Sequence, residues 1–360
     1  MPPPRVTVVI PNWNGERFLP TCLGSLREQS FKDFDVVMVD DNSTDGSVAL
    51  ARHNFPEVQV LPLDENKGFS AAVNAGIRAS GAECVALLNN DTEVEPKWLH
   101  ALVEAANAHP EAGLFASKMV DFYDRRVLDG AGDVLRRSGL PLRLGHGELD
   151  RGQYDKASFV FGACAGAALY RRSMLDDVGL FDEDFFANCE DGDLSFRAQL
   201  AGHRCLYVPR SVVYHVGSVS TGGKRSATAT RLGARNSVSL LVKNLPLSAV
   251  PHVLPFFVLE QLGRLLAAAV TGSPRAQLQG LAEARGHLPL MVKKRRRIQG
   301  EKRVSGGEIR ALLRGSGLAA TKSIARRVRE RIKTRLGQGL THGPRLGSGP
   351  GKPPAQPPSA

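Results

Sequence analysis

Four times in the first 118 residues a short apolar run passes straight into a helical pattern: VTVVI into FLPTCLGSLREQ, DVVMVD into SVALARHN, VQVLPL into AAVNAGIRAS, and CVALLN into PKWLHALVEAANAH. Apolar strands separated by helices of this length predict βαβ units around a mainly parallel sheet, an α/β fold. Ligands of such sheets bind outside the carboxyl ends of the strands, so chemistry is expected in the segments that follow each apolar run.

Those segments are polar: Pro11-Asn12-Trp13-Asn14-Gly15, Asp40-Asp41-Asn42-Ser43-Thr44-Asp45-Gly46, Asn66-Lys67-Gly68 and Asn89-Asn90-Asp91-Thr92-Glu93. Gathered at one sheet edge they would line a crevice, although Asn, Asp, Ser and Gly also serve as ordinary turn formers and helix caps. No P-loop and no GxGxxG turn follows the first strand, which removes the backbone cradle of ordinary ATPases and dinucleotide dehydrogenases. A phosphate group would then need a metal, and Asp91 offers a hard carboxylate ligand for a divalent cation bridging diphosphate oxygens.

A second cluster lies further on, in FDEDFFANCEDGDLSFRAQLAGHRCLYVPRSVVYH, where Glu190, Asp191 and Asp193 stand among Phe181, Phe185, Phe186 and Phe196. Carboxylates buried beside aromatic rings need a compensating cation or proton.

These motifs, with GAALYRRSMLDDVGL before the acidic cluster and RLGARNSVSLLVKN after it, span roughly residues 5 to 245. Over that length the chain resembles family 2 glycosyltransferases with the nucleotide-sugar-binding GT-A fold, and most of all bacterial rhamnosyl- or galactofuranosyltransferase-like enzymes. The resemblance implies that Pro11, Trp13 and Asn14 form the first nucleotide-contacting loop and that Asp41 reads the donor base. An acceptor-only carboxylate suits the imide N–H of uracil or thymine. It further implies nucleotide-sugar contacts from Asn66, Gly68 and Asn90, and a Mg2+ or Mn2+ site at Asp91, with Asn89 in the position of the first acid of the family's DxD motif and His215 completing the set. Glu190-Asp191 matches the family's ED motif, whose aspartate acts as catalytic base. Asp193 is expected to cap or charge the N-terminus of the following helix. Glu93 is expected to be a first-turn acid of the helix opened by Pro96. The small residues of GACAGAALY are expected either to line the acceptor side or to pack closely, and the stretch 120–160, with Asp129, Asp133, Arg136, Arg137 and His146, to help select the acceptor.

Charge divides the chain: residues 1–220 hold 31 acidic and 21 basic side chains, whereas residues 221–360 hold 5 and 26. LPLSAVPHVLPFFVLEQLGRLLAAAVT, residues 245–271, is apolar but interrupted by His252, Pro255, Glu260 and Arg264. It is read as falling short of the ~20 residues that span a bilayer and as lying in the interface. Five consecutive cations, Lys293 to Arg297, would attract an anionic leaflet at roughly 1 kcal/mol each. Aromatic residues are absent after Phe257, which disfavours a nucleic-acid reading. The boundaries expected are a catalytic unit over 1–220, a helical, membrane-associating extension over 221–300, a basic amphipathic helix over 301–336 (Ile309, Leu312, Leu313, Ile324, Val328 and Ile332 on its apolar side) and a Gly- and Pro-rich disordered tail over 337–360. Five cysteines without CxxC spacing suggest reduced thiols in a cytosolic protein, and no secretory signal is visible at the N-terminus.

The expected activity is inverting transfer of a sugar, rhamnose foremost, from a UDP- or dTDP-sugar to a glycan or lipid-linked glycan acceptor at the cytoplasmic face of the membrane. The rivals are a sugar-nucleotide nucleotidyltransferase, which would need a Gly-rich activating loop where PNWNG stands, and a non-catalytic membrane-associated interaction protein.

Overall fold

The protein is described from a computed structural model over residues 3–217, 226–271 and 274–339. Strand β1 (Val6–Asn12), helix α1 (Leu19–Arg27), β2 (Phe34–Asp40), α2 (Ser47–Asn54), β3 (Gln59–Pro62), α3 (Phe69–Ala79) and β4 (Cys84–Leu88) realise the predicted alternation. A short β5 (Thr92–Val94) precedes α4 (Trp98–Ala108). β1 pairs in parallel with β2 on one side and with β4 on the other, and β2 continues in parallel to β3. Strand order therefore reverses at β1, which opens a crevice at the carboxyl ends of β1, β2 and β4.

β1 is buried along almost its whole length and apolar apart from Thr7 and Asn12, because both faces of the sheet are covered. Val6, Val8 and Ile10 pack toward Leu19, Leu23, Trp98 and Leu102 of α1 and α4, while Val9 points the other way, toward Val73 and Ile77 of α3. Each such residue withdrawn from water contributes roughly 1.5–3 kcal/mol before the entropy of ordering is subtracted.

The chain continues through β6 (Ala112–Asp121), β7 (Leu128–Ala131), β8 (Asp133–Leu135), β9 (Pro141–Arg143), β10 (Ser158–Val160), β11 (Ala167–Arg171), α5 (Arg172–Val178), α6 (Glu190–Leu200) and β12 (Arg204–His215). The main sheet runs β10-β12-β6-β11-β4-β1-β2-β3, with β11 antiparallel to both neighbours, and β8 and β9 form a separate hairpin. Glu93 lies in β5 and pairs with Arg125 at 2.7 Å. It is a strand residue rather than a first-turn acid, because α4 begins only at Trp98.

Among the described residues four α-helices follow: α7 (Ala227–Asn244), α8 (Val250–Thr271), α9 (Pro274–Glu301) and α10 (Gly306–Gly339). They share an apolar cluster with the sheet-bearing part, in which Leu240, Leu245, Val253, Ile298, Ile309 and Leu313 meet Leu135, Phe161, Phe185 and Phe196. The inner side of α10 is thereby spent on the sheet-bearing part, and Ser323 adds a hydrogen bond to the buried Glu148. Two of the five consecutive cations also turn inward, Lys294 to Asp182 and Asp184 and Arg295 to the Val242 carbonyl. Val328, Ile332 and the tail from 340 onward lie outside the described side chains or residues.

The apolar run after residue 245 differs from expectation. Leu247–Val270 is helical over 24 residues with a mean hydropathy of 1.6, long and apolar enough to cross a membrane by length and composition, and only 11% of its most apolar window is buried. The helix continues through Pro255, and Glu260 and Arg264 pair with each other at 2.7 Å one turn apart, so the polar interruptions do not break it.

Asp193 does not cap α6. It is fully buried, and its carboxylate accepts from Arg197 Nε at 2.9 Å, Lys243 Nζ at 2.7 Å and Asn244 Nδ2 at 2.8 Å. Lys243 donates in addition to Asp182 at 2.6 Å. Burial alone would push both carboxyls up, but Lys243 with Lys294 around Asp182, and Lys243 with Arg197 around Asp193, hold them below the ordinary value. Burial also pulls the Lys243 ammonium down; two carboxylate contacts and the Phe185 ring 5.5 Å away keep its charged form.

Removing one member of a buried ionic network strands the others, at a cost of about 3 kcal/mol. Lys243→Ala is expected to lower the urea midpoint accordingly at pH 7. The contribution of Asp182 and Asp193, being carboxyls with depressed folded pKa values, is complete above about pH 4 and is lost as pH falls below it. An unfolding free energy within about 0.5 kcal/mol of wild type would show that the network does not support the fold.

Candidate active site

At the reversal point, side chains from three strand ends form a continuous hydrogen-bonded floor. Asn90 Nδ2 donates to Asn12 Oδ1 at 2.7 Å, Asn12 Nδ2 to Asp40 Oδ1 at 2.8 Å, and Ser43 N to Asp40 Oδ2 at 2.9 Å. Gly15 permits this crossing, since a Cβ there would come within 2.0 Å of Asn90 Nδ2. Asp41 is buried and accepts from the backbone N–H groups of Lys67 at 2.8 Å and Gly68 at 2.9 Å, which folds the 64–68 loop onto the strand end. Gly68 has φ +85°, and a Cβ there would meet the Phe186 ring at 2.5 Å, so both its backbone and its contact require glycine.

Above this floor lies a cavity of about 750 Å³. Pro11, Trp13, Asp41, Asn66, Gly68, Asn89, Asn90 and Asp91 all line it, joined by Asn12, Phe69, Phe186, Ala187, Ser226, Thr228 and Leu232. Asn14 does not. Its Oδ1 accepts from Thr44 N at 2.8 Å and its own N–H donates to Ser43 Oγ, so it ties two loops together at the rim.

The structure brings Asp91, Asn89 and His215 together. His215 Nε2 is 3.4 Å from Asp91 Oδ1 and 3.4 Å from Asn89 Nδ2, and Gly217 N donates to Asp91 Oδ2 at 3.0 Å. β12 brings His215 here by pairing with β5 directly after the Asn89–Asp91 tip. A further residue stands behind the histidine: Asp129 Oδ2 is 2.8 Å from His215 Nδ1 and is itself held by Arg143 Nη1 at 2.6 Å and by His146. Burial alone would push the imidazole down, but Asp129 and Asp91 hold it up, to about 9. Asp129 is held well below the usual carboxylate range, its burial overcome by Arg143, His146 and His215.

Asp191 lines a different cavity of about 360 Å³, together with Asp133, Arg143, Asn188, Cys189 and Arg264. Burial raises the Asp191 carboxyl, opposed by Arg143 and by backbone N–H groups including Gly192 N at 2.7 Å. Glu190 and Asp133 are raised as well, first by burial and then by Asp191. Asp191 thus has a raised carboxyl on either side, Glu190 and Asp133, and the three cannot all be ionised near neutrality. Glu190 Oε2 is buried without a hydrogen-bond partner, as suits a carboxyl that retains its proton.

A strained segment separates the two cavities. Phe186, Asn188 and Cys189 have φ of 62°, 69° and 72°, a region costly for side-chain-bearing residues. Asn236 of α7 fixes it, donating through Nδ2 to the carbonyls of Phe185 (2.9 Å), Ala187 (2.8 Å) and Asn188 (2.7 Å). Phe186 and Ala187 line the larger cavity, whereas Asn188, Cys189 and Asp191 line the smaller. The start of α7 does the same, with Ser226, Thr228 and Leu232 on one side and Ala229, Gly233 and Ser237 on the other.

Residues 162–170 line neither cavity. This segment is close-packed: Cys164 Sγ accepts from Arg143 Nη2 at 2.8 Å, and a Cβ on Gly166 would meet Asn89 Nδ2 at 3.1 Å. All five cysteines are free thiols. Asn236 and Arg143 carry no role in the sequence reading. Asn236 falls within the quoted RLGARNSVSLLVKN motif, but its partners are backbone carbonyls some fifty positions away, and Arg143 acts through a hairpin without local signature.

A crevice at the sheet's reversal point, with a ligand-set candidate beside it and a buried Glu-Asp pair across a shared wall, defines a GT-A nucleotide-diphospho-sugar transferase. Residues 7–179 match the family described as Glycosyl transferase family 2. The N-acetylglucosaminyl-diphospho-decaprenol L-rhamnosyltransferase of Mycobacterium tuberculosis is 31% identical over 232 residues, covering 58% of this chain and 73% of that protein. Among solved structures, Staphylococcus aureus TarS 1-349 in complex with UDP-GlcNAc matches with a TM-score of 0.55 and 19% identity over 92% of each chain. The mannosyltransferase PcManGT of Pyrobaculum calidifontis, in complex with GDP-Man and Mn2+, matches with a TM-score of 0.51 and 19% identity over 83% of this chain and 86% of that one. The chain belongs to glycosyl transferase family 2.

Asn236→Ala removes the amide that makes all three of these hydrogen bonds, leaving Arg235 on the Phe185 carbonyl. It is expected to lower the kcat of sugar transfer at least about tenfold, the effect of misplacing a catalytic group by a fraction of an ångström, while thermal stability falls only modestly. Unchanged kcat would show that the wall holds its shape without Asn236.

Proposed function

We propose that this chain is an inverting glycosyltransferase that moves a sugar, rhamnose foremost, from a UDP- or dTDP-sugar to a glycan acceptor carried on a lipid, in the synthesis of a cell-surface polysaccharide. The observation that carries the reading is the wall shared by the two cavities, with strand-end polar groups on one side and the Asp191 carboxylate on the other. The named activity of the mycobacterial relative supports the sugar and the lipid-linked acceptor.

In this reading the donor lies in the larger cavity, its base toward Asp41, its ribose and phosphates along Pro11, Trp13, Asn66, Gly68 and Asn90. Asp41 keeps lone pairs for a base N–H beyond the two backbone donors it accepts. Asn89, Asp91 and His215 would hold Mg2+ or Mn2+. The set fits, because Asp129 on Nδ1 aims Nε2 at Asp91 in the manner of an outer carboxylate behind a ligating histidine. The Mn2+ in the PcManGT complex is consistent with it. When bound, the cation neutralises the donor diphosphate. Asp191 takes the acceptor hydroxyl's proton as that oxygen attacks the anomeric carbon from the face opposite the departing nucleotide, so configuration inverts.

Asp191→Asn is expected to abolish transfer by at least about a hundredfold with donor affinity retained. The acidic limb of the wild-type kcat/KM profile is expected above the ordinary carboxylate value of about 4, because burial raises the Asp191 carboxyl by more than Arg143 and the backbone N–H groups lower it. Near-wild-type turnover of Asp191→Asn would remove it as base.

The proposed division keeps a catalytic part over 1–220 and a helical, membrane-associating extension over 221–300, with the basic helix carried on to Gly339, and the proposed location is the cytoplasmic face of the membrane. α8 supplies the contact: Leu254, Val258, Leu262, Leu266 and Val270, spaced by four, are all exposed, while Lys293, Arg296 and Arg297 remain outward on α9. An apolar ridge beside cations suits an anionic leaflet. Flotation with anionic vesicles is expected for the full chain and to be lost in a Leu259→Asp/Leu262→Asp/Leu266→Asp variant; equal flotation of that variant would place the contact elsewhere.

A further inference from the structure

Apart from two carboxyls and a thiol, four hydrogen-bonding side chains among the described residues line the smaller cavity: Arg143, Asn188, Ser237 and Arg264. Three are spent within the protein. Arg143 donates to Asp129 at 2.6 Å and to Cys164 Sγ at 2.8 Å. Arg264 donates to Glu260 through Nε at 3.2 Å and Nη2 at 2.7 Å. Ser237 Oγ donates to the Ala234 carbonyl and accepts from Gln261. Asn188 is the exception, because its Nδ2 is buried without a hydrogen-bond partner. A sequestered donor of this kind costs free energy unless something accepts from it. The same residue carries backbone strain, with φ at 69°, and Asn236 grips its carbonyl at 2.7 Å, so the side chain leaves the cavity wall from a fixed point. Strain and an unmet donor coincide where a ligand uses them.

A neutral amide presents an N–H donor and a carbonyl acceptor, which matches a hydroxyl group, itself both donor and acceptor. Asp191, three positions further on and lining the same cavity, takes the proton of the reacting hydroxyl in the proposed reaction. A ligand that meets both residues carries a second hydroxyl close to the first, as a sugar ring does on neighbouring carbons. We infer that Asn188 reads the acceptor: its amide binds the hydroxyl next to the one that Asp191 deprotonates, and so restricts transfer to a secondary hydroxyl of a vicinal diol on a sugar ring. This rests on the glycosyltransferase reading and adds the residue that selects which hydroxyl reacts. The cavity volume of about 360 Å³ lies toward the lower end of the range of small-ligand sites, which suits one sugar ring rather than an extended glycan.

The test is a double cycle on the full chain. A panel of dTDP- and UDP-sugars against methyl glycosides gives the pair with the fastest transfer, and the linkage in the product gives the hydroxyl that reacts. The deoxy analogues that lack a neighbouring hydroxyl are then compared with the parent glycoside. For the wild type, one of these analogues is expected to lower kcat/KM about tenfold, because a hydrogen bond is lost and the amide stays unpaired. Asn188→Gly removes the amide and accommodates the positive φ. It is expected to lower kcat/KM for the parent by a similar factor, mainly through KM, and to use parent and analogue equally well. A purely structural role would instead slow both glycosides in parallel. Parallel losses, a wild type indifferent to every such analogue, or exclusive transfer to a primary hydroxyl would each overturn the assignment and leave the glycosyltransferase reading standing. Absence of transfer from every donor to every glycoside would overturn both.

Discussion

The first turn of α6 points two carboxylates in opposite directions, and the fold depends on what meets the hidden one. Asp193 is buried against Lys243, Arg197 and Asn244, and this ionic knot joins the acid-bearing helix to α7. With α6 and α7 locked, Asp191 faces the smaller cavity, and Asn236, less than two turns before Lys243, reaches the carbonyls of the 185–188 segment. A network of this kind adds little net stability over a well-packed apolar alternative. Its effect is to fix one relative placement of two helices, since any other leaves charges without partners.

That placement allows the strain between the cavities to persist. Three residues with side chains hold positive φ in succession or nearly so, a conformation that survives only when its surroundings over-determine it. Phe186 sits on Gly68, Asn236 holds the carbonyls, and the β8–β9 hairpin leans on the start of α6, where a Cβ on Gly192 would meet Pro141 at 2.6 Å. The same hairpin delivers Arg143, which links the two halves of the site: it pairs with Asp129 behind His215 and stands among the carboxyls around Asp191. Charge at the metal-ligand candidates and charge at the proposed base are thereby coupled through one guanidinium.

Much of this was legible before any coordinates. The strands and helices of residues 6–108 follow local periodicities, and a parallel sheet covered on both faces leaves uniformly apolar strands that composition alone marks. The strand-end tips sit where such a sheet must place them, so Pro11, Trp13, Asp41, Asn66, Gly68 and Asn89–Asp91 share one cavity. Asp193 is an acid of the first turn of α6 as read, but its buried pairing was not legible, because a carboxylate there has the same local signature whether it serves the helix end or meets a lysine fifty residues away. Small residues in 162–170 likewise signal either space or close approach, and the packing of Gly166 against Asn89 is the second. Lys294 and Arg295, indistinguishable in sequence from their neighbours in the basic run, turn inward because α9 lies against Asp182 and the end of α7.

By itself the sequence determined the sheet, its crevice and the residue types gathered there, since these rest on periods of two and 3.6 residues and on turn chemistry, all properties of neighbours along the chain. Only the tertiary structure decided which acids are catalytic candidates and which are structural, that Asp129 stands behind His215, and that donor-side and base-side cavities share one strained wall. Those outcomes depend on pairings between residues 48 to 86 positions apart, where burial and charge, rather than local propensity, select the arrangement.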